Sequence, residues 1–561
     1  MRVPATATGH PPPTRVAIGV EPMHVTTSNG FPRRESTAGE RMTTGERMTS
    51  GLTDRHRPPE QVAILGGTLG LTLVTAIYAA LFAEVPWNNE GVYLLAPWRW
   101  WRPDFLANDW TFGLRWREHT LYDATAGLLS LILPMTAFAW VLRLACWSLV
   151  YYALLRLARR LGLAPLAGAA AVLLWIGAGQ AIVGAEWIIG NAEAKVPAYA
   201  TLFLALEQLL DRHDRASGLL LGLTFSLHPA IGAGALVGIA GALVLIRAPL
   251  RRWSTVGIWF VPASLPGIVT AAMMSRGIEP NTAAMWALLV RAALPWHLDP
   301  AFFPLSDVIR LLALTCLLAT VTMLQRVTED WRLLMGFVAG TGLLALGGLA
   351  ARAVHAYWAL QVYPFRLFPV VVPLFLCFAV VGGLFGQSAE GPRRYPFGVA
   401  VGAAFALLAA YPIGKLTAEA DRLLRHRIPL ARGPEPATVE WRPALRWVAD
   451  STPTDAVVLL SPWNKESFFF SRRPAVVSFW ALRVDRMASW WSRLQDLSGP
   501  LSPLYPPSPL HLQARFDSLS TEAVLRLAHR YRTTFLVTHG IYPFPLRFSA
   551  GRTRVYALPP F

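Results

Sequence analysis

The sequence predicts a polytopic α-helical membrane protein with about eleven transmembrane helices and a small C-terminal extracytoplasmic α/β domain. Hydrophobic residues make up 54% of the 561 residues and charged residues only 15%, whereas soluble domains carry about 25% charged residues. The mean hydropathy is +0.39. The charges also collect in short clusters between apolar runs, several of which reach the roughly 20 residues that cross a bilayer.

The apolar runs define a predicted transmembrane domain at residues 61–412. Within it, residues 216–246 leave two alternatives open: one kinked helix, or two short helices broken at His228-Pro229, because proline disfavours a helical conformation at the residue before it. The predicted runs are 61–83, 126–155, 162–184, 196–210, 216–228, 230–246, 254–274, 307–325, 332–351, 364–385 and 396–412.

Two segments flank this domain. Residues 1–60 are rich in Pro, Thr, Gly and Arg without apolar periodicity, which predicts a disordered cytoplasmic tail. Residues 413–561 form the predicted extracytoplasmic domain. Its helices are predicted at 441–448 and 519–531, and its strands at 456–460, 475–479 and 534–538.

The arginines indicate how the chain is oriented in the membrane. Short loops that stay in the cytosol carry an excess of Lys and Arg. Eleven crossings with the N-terminus inside satisfy this rule, whereas a single helix at 216–246 would invert the second half of the chain. We therefore expect a cell (plasma or inner) membrane protein whose C-terminal domain is extracytoplasmic. The arginines of the predicted inner loops are Arg156, Arg159, Arg160, Arg212, Arg215, Arg247, Arg251, Arg252, Arg326, Arg332, Arg393 and Arg394.

The formal net charge of +17 raises the question of a nucleic-acid partner. A nucleic-acid-binding domain shows a continuous basic face or a reading motif, and the sequence has neither. We therefore expect no nucleic-acid partner and assign the positive charge to the cytosolic loops.

Arg143 is the only charge deep in a predicted span.

The first outer loop, residues 84–125, is rich in tryptophan and holds two candidate catalytic carboxylates, Glu90 and Asp109. A carboxylate at the membrane surface loses part of its hydration, which suits general-base chemistry. The alternative is that each is an ordinary loop acid paired with Arg99 or Arg102.

Further candidates for substrate binding lie in the later outer segments. Ionisable groups at membrane depth are costly and often functional, although an interface salt bridge or a hydrogen-bonded structural histidine is the alternative. Two arginines at the outer ends of membrane spans also suit a phosphate, since a guanidinium group matches phosphate oxygens bidentately. The alternative is that they extend to the phosphates of lipid headgroups. The candidates are Glu186, Glu193, Lys195, His228, Arg291, Arg352, His355 and Arg366.

This arrangement resembles the GT-C glycosyltransferases, polytopic membrane enzymes that include protein mannosyltransferases. The resemblance rests on a first span followed by a long acidic outer loop with Asn88-Asn89-Glu90 and Asn108-Asp109-Trp110, and on a C-terminal outer domain that begins near Ser451–Val457. It implies a polyprenyl-phosphate-linked sugar as donor, Glu90 or Asp109 as the base, and Arg352 and Arg366 as phosphate ligands. The first loop lacks the adjacent acidic pair of that superfamily, so no motif supports a divalent metal.

Two other classes of protein remain as alternatives. A transporter should show inverted repeats and ionisable groups near mid-membrane, and we find no clear repeat. A non-catalytic membrane scaffold predicts that Glu90 and Asp109 are dispensable. The predicted partners are membrane lipid and the polyprenyl-phosphate sugar donor.

Overall fold

The computed structural model describes residues 58–113, 118–276, 282–325, 328–385, 394–426 and 440–560. The predicted tail lies outside these residues apart from its last three positions. Residues Pro58–Phe561 form one compact unit.

The structure is mainly helical up to residue 426. The first ten helices are α1 (Pro58–Phe82), α2 (Glu90–Tyr93), α3 (Leu95–Trp100), α4 (Thr120–Gly127), α5 (Met135–Arg160), α6 (Pro165–Gly177), α7 (Lys195–Leu210), α8 (Asp214–Leu227), α9 (Pro229–Leu245) and α10 (Leu250–Met274). They are followed by α11 (Ala283–Leu288), α12 (Pro295–Leu298), α13 (Leu305–Leu324), α14 (Glu329–Ala353), α15 (Phe368–Leu384) and α16 (Arg394–His426).

Each predicted apolar run coincides with one of these helices. Among the described residues, six helices are long and apolar enough to cross a membrane: Glu60–Phe82, Met135–Arg160, Leu250–Met274, Leu305–Leu324, Glu329–Ala353 and Arg394–Gly414. The protein is thus a multi-pass helical membrane protein. The remaining apolar helices are shorter than a full span, so the number of eleven crossings stays a prediction.

Residues 214–245 form two helices that meet at His228. A Cβ added at Gly218 would lie 2.5 Å from the carbonyl oxygen of Val256, and one at Gly267 would lie 3.0 Å from the Cα of Ser226. Helices α8 and α10 therefore run side by side in the same direction. Since α9 joins the end of α8 to the start of α10, it must return in the opposite direction.

Helices α9 and α14 approach each other through glycine. A Cβ added at Gly340 would lie 2.5 Å from the carbonyl oxygen of Val237, and one at Gly241 would lie 2.5 Å from that of Gly336. Small residues four positions apart, as Gly336 and Gly340 are, allow helix backbones to pack closely where lipid offers no hydrophobic driving force.

One end of the helix bundle carries a network of ion pairs. Arg160 at the end of α5 pairs with Asp330 at the start of α14 at 2.6 Å, and Arg252 of α10 pairs with Asp214 of α8 at 2.8 Å. Arg156 also pairs with Glu207 at 2.6 Å. These arginines belong to the predicted inner loops, and the structure gathers them at one end. Which face of the membrane this end occupies stays a prediction.

The C-terminal segment contains a small sheet flanked by helices. Its helices are α17 (Arg442–Ser451), α18 (Ser467–Ser471), α19 (Met487–Ser498), α20 (Pro509–Asp517) and α21 (Thr521–Tyr531), and its strands are β1 (Val457–Leu459), β2 (Thr533–Thr538), β3 (Leu546–Ala550) and β4 (Thr553–Ala557). The strand order is β1-β2-β4-β3, with β1 parallel to β2 and the other pairs antiparallel. The predicted strand at 475–479 is reduced to a single bridge between Ala475 and Val458.

The first loop and the C-terminal segment contact each other directly. The Nζ of Lys465 donates to the Oδ1 of Asn88 at 2.9 Å, and Arg442 pairs with Glu84 at 2.8 Å. Apolar residues of both segments also share one buried cluster. The two segments therefore lie at the same end of the bundle, opposite the ion-pair network.

Candidate functional site

Glu90 is buried in an ion pair with Arg143. The guanidinium donates from Nε to Oε1 at 2.7 Å and from Nη2 to Oε2 at 2.6 Å, and both side chains are 0% exposed. The backbone N–H groups of Trp87 and Ala192 donate to the same carboxylate, and Arg143 also donates to the carbonyl oxygen of Ala83. The Glu90 carboxylate thus accepts four hydrogen bonds, two of them from Arg143, and fixes the start of the first loop against α5.

Asp109 is also engaged in backbone hydrogen bonds. Its Oδ1 accepts from the N–H groups of Thr111 and Phe112 at 2.8 and 2.7 Å, which closes a tight turn. Its Oδ2 accepts from the N–H of Ala475 at 2.9 Å. Asp109 thus ties the first loop to the edge of the C-terminal sheet.

The polar groups that do come together lie around Arg366, just before α15. Its Nε is 3.2 Å from Oε2 of Glu186, and its Nη1 donates to Nε2 of His228 at 3.0 Å. Its guanidinium carbon also lies 4.3 Å from the ring centre of Tyr363. A guanidinium held by a carboxylate, a histidine and an aromatic face has a fixed orientation.

His228 occupies the junction between α8 and α9, where the break between the two helices places its side chain beside Arg366. Because Nε2 accepts from Arg366, a neutral ring carries its proton on Nδ1. That nitrogen is buried and has no hydrogen-bond partner among the described residues. A buried donor without a partner costs about 1–3 kcal/mol, so this N–H is suited to bind a ligand acceptor such as a phosphate oxygen.

His119 joins the cluster from the first loop, and the sequence analysis missed it. Its ring centre lies 4.5 Å from that of His228 and 6.4 Å from that of Tyr93. His119 immediately precedes α4, in the tryptophan-rich first loop. The adjacent Glu118 is partly exposed.

Lys195 and Glu193 lie at the start of α7. The Nζ of Lys195 is 3.3 Å from Oε2 of Glu193, and Asn191 donates to Oε1 of Glu193 at 2.8 Å. The neighbouring residue Ala192 is the one that donates to Glu90. The Glu90–Arg143 pair therefore positions the segment that carries Lys195.

His297 closes the cluster from the segment before α13. Its Nδ1 donates to the carbonyl oxygen of Gly184 at 2.6 Å, which leaves Nε2 as an acceptor. Burial, and then the positive charges of Arg366 and Lys195, lower the pKa of His297 to about 3. The ring is consequently neutral at physiological pH.

The electrostatics of Tyr363 link Glu118 to the same cluster. Burial raises the pKa of Tyr363 to about 12; the Arg366 charge opposes this effect, and the carboxylates of Glu118 and Glu186 add to it. Glu118 is adjacent in sequence to His119, whose ring lies 4.5 Å from that of His228, so its carboxylate belongs to the surroundings of the Arg366 cluster.

Three other predicted binding residues have different surroundings. Arg352 donates from Nε to Asp299 at 2.8 Å, which anchors the segment before α13 to the end of α14. His355 is exposed, with its ring 5.8 Å from that of Tyr357. Arg291 is partly exposed in the helical turn Leu289–Ala293.

The structure thus brings together Glu186, Glu193, Lys195, His228 and Arg366 of the predicted residues, and adds His119, His297 and Tyr363. Within the described part of the chain, no group of three or more His, Cys, Asp or Glu side chains could hold a metal ion. The arrangement places two cations, Arg366 and Lys195, each beside a carboxylate at the end of apolar helices.

Fold and site together define a multi-pass membrane protein with a buried cationic cluster beside a partly exposed loop carboxylate. No family model and no curated protein matches the sequence. Among solved structures, the chain is similar to the arabinofuranosyltransferase AftD from Mycobacteria, with 14% identity, a TM-score of 0.46, and coverage of 88% of this chain and 39% of that one. It is also similar to the Archaeoglobus fulgidus oligosaccharyltransferase tethered with an acceptor peptide, with 12% identity, a TM-score of 0.47, and coverage of 84% and 69%.

Proposed function

We propose that the protein transfers a sugar from a polyprenyl-phosphate-linked donor to an acceptor hydroxyl at the extracytoplasmic face of the membrane. The observation that supports this most is the Arg366 cluster. It places a fixed guanidinium, the partnerless Nδ1 of His228 and the ammonium of Lys195 at the end of apolar helices. The phosphate of a lipid lies at this depth when its chain is in the hydrocarbon region.

In this proposal, the cationic groups stabilise the phosphate that leaves. Arg366 and Lys195 supply positive charge, and the Nδ1–H of His228 supplies a hydrogen bond. Donors aimed at developing charge in a site with little water are worth far more than the same donors in bulk water. Glu186 holds Arg366 in place, and Glu186 and Glu193 together balance the charges of Arg366 and Lys195.

The acceptor hydroxyl needs a base, and we assign this role to Glu118. A base must reach the proton that it removes. Glu118 is partly exposed and acts on Tyr363 beside Arg366. Glu90 and Asp109, with their oxygens engaged by Arg143 and by backbone N–H groups, act as positioning residues in this assignment.

The donor site is tested by binding of farnesyl phosphate, a short polyprenyl phosphate, to the full-length protein in nanodiscs. Arg366→Gln should weaken binding at least tenfold, about 1.4 kcal/mol. Arg352→Gln is the matched control, because its guanidinium is engaged with Asp299 and its loss should leave the affinity within twofold. Equal binding by wild type and Arg366→Gln, or no binding by the wild type, would exclude the proposed donor site.

The base is tested by replacing the chromosomal copy with Glu118→Gln and analysing cell-envelope glycans by mass spectrometry. We expect loss of a glycan with little change in the thermal unfolding temperature of the purified variant. An unchanged glycan profile would show that Glu118 is not the base.

A further inference from the structure

A row of aromatic rings leads from the Arg366 cluster toward the C-terminal segment. The ring of Tyr363, which covers Arg366, lies 6.2 Å from that of His297. The preceding residue in the chain, Trp296, has its ring 6.3 Å from that of His297. The row therefore begins where the proposed transfer takes place.

The row ends in three tryptophans, which we call the tryptophan platform: Trp296, Trp463 and Trp480. The ring of Trp480 lies 6.1 Å from that of Trp296 and 4.5 Å from that of Trp463. All three side chains are partly exposed. The platform thus joins the segment before α13 to the C-terminal segment.

A buried phenylalanine and a hydrogen bond hold the rings of the platform in place. Phe479, which is buried, has its ring 5.0 Å from that of Trp463, and the indole N–H of Trp480 donates to the carbonyl oxygen of Trp463 at 2.8 Å. Since that polar atom is already satisfied and the ammonium of Lys465 covers one face of the Trp480 ring, Trp480 can contact a ligand only through the part of its ring that is exposed.

Polar groups border the platform. The Nζ of Lys465 lies 3.5 Å from the ring centre of Trp480 and donates to the Oδ1 of Asn88 at 2.9 Å. At the other edge, Nε2 of His297 is available as an acceptor because Nδ1 is used by Gly184. Aromatic faces with a few fixed polar groups at their edges are the usual composition of a small-ligand site.

We propose that the tryptophan platform binds a neutral saccharide, which serves as the acceptor of the proposed transfer. A sugar ring presents C–H groups on its faces and hydroxyls at its edge. The faces match indole rings, which bring a large apolar contact area, and the hydroxyls match Lys465, Asn88 and His297. This inference rests on the proposed function for the role of the saccharide, but not for its binding.

Tryptophans of membrane proteins also lie at the headgroup level as membrane anchors. The platform differs from that arrangement because its rings pack on each other and on the C-terminal segment. Trp358, in contrast, is 61% exposed and provides a matched control for the anchor role.

The test uses the full-length protein in nanodiscs on an array of neutral oligosaccharides of mannose, galactose, arabinose, rhamnose and N-acetylglucosamine. We expect the wild type to bind at least one of them. Trp480→Ala and Trp296→Ala, on two different segments, should each lower that affinity at least tenfold, and Trp480→Phe should retain most of it. Trp358→Ala should bind as the wild type does, and thermal unfolding of each variant identifies any that fails to fold.

The proposal is overturned if the wild type binds none of the oligosaccharides, or if a folded Trp296→Ala or Trp480→Ala variant binds as tightly as the wild type. If a tryptophan variant inserts poorly into nanodiscs but still binds the saccharide, the tryptophan platform is a membrane anchor and not a saccharide site. Arg366→Gln separates the two proposals, since it should abolish binding of farnesyl phosphate and leave saccharide binding intact. If the wild type binds a saccharide but does not bind farnesyl phosphate, the proposed donor site is contradicted and the saccharide site is not.

Discussion

At the scale of single residues, the role of a carboxylate depends on a partner that the sequence does not identify. Glu90 has the loop position of a catalytic acid, but its partner Arg143 is 53 residues away and lies inside a helix. An arginine deep in an apolar span is unusual enough to suggest a buried partner. The sequence contains several acids that could fill that role, and only the fold selects Glu90.

The Glu90–Arg143 pair gives a direct prediction about stability. Removing one partner of a buried ion pair leaves an uncompensated charge and costs about 3–5 kcal/mol. Arg143→Met should therefore lower the thermal unfolding temperature of the detergent-solubilised protein strongly. The double variant Glu90→Gln/Arg143→Met should recover a large part of the loss, because no buried charge remains.

Arg212→Gln is the control for this prediction, since its pair with Glu329 is 68% and 52% exposed and exposed pairs contribute little. If Arg143→Met were as stable as Arg212→Gln, the structural role of the pair would be refuted.

The residues of the Arg366 cluster were predictable to different degrees. Glu186, Lys195, His228 and Arg366 stand out in the sequence because they are ionisable residues next to apolar runs. His119 lies in the first loop among other charged and polar residues such as Glu118 and Thr120, and nothing in the sequence distinguishes it from them. Its place against His228 follows from how the first loop folds back over α8.

At the scale of helices and strands, hydropathy was sufficient to locate the long elements. The apolar helices are predictable because lipid requires a continuous apolar surface. The hairpin of β3 and β4 was not predictable from the sequence, since its apolar residues alternate with arginines and one face of β3 is exposed. The predicted strand at 475–479 is apolar because it is buried, and its backbone pairs with β1 at only one bridge, while the N–H of Ala475 donates to Asp109.

The crossing of α9 and α14 gives a prediction at this scale. Gly340→Leu should destabilise the protein by about 1–3 kcal/mol or more, the range of overpacked cores, because the added Cβ would meet the Val237 carbonyl at 2.5 Å. The measurement is the thermal unfolding temperature in detergent, compared with that of Gly347→Leu.

Gly347 lies on the same helix with nothing within 4 Å of an added Cβ. The two substitutions therefore change helix propensity equally and differ in packing alone. A Gly340→Leu variant as stable as Gly347→Leu would disprove the close crossing.

At the scale of the whole molecule, the contact between the first loop and the C-terminal segment requires both to lie on one side of the membrane. The sequence indicated this arrangement through an odd number of crossings. The structure supplies it independently through Lys465–Asn88 and Arg442–Glu84. The extracytoplasmic location of both segments stays a prediction.

Cysteine labelling checks that prediction. In a variant with the exposed Cys316 changed to Ser, we expect a membrane-impermeant maleimide to label Asn108→Cys and Glu522→Cys in intact cells. Arg251→Cys, at the end with the ion-pair network, should be labelled only after the cells are permeabilised. Labelling of Arg251→Cys in intact cells, or of only one of the other two, would contradict the topology.

The bond between Asp109 and Ala475 also has a temporal consequence during biosynthesis. The two residues are 366 positions apart, so at about 5–20 residues per second the ribosome needs about 20–70 s to supply the second after the first. Throughout that interval the nascent first loop can close its own turn, but Oδ2 of Asp109 lacks the N–H of Ala475 that it accepts from in the folded protein. Docking of the first loop onto the C-terminal sheet is therefore among the last events of maturation, and a chain truncated before residue 475 would lack this contact.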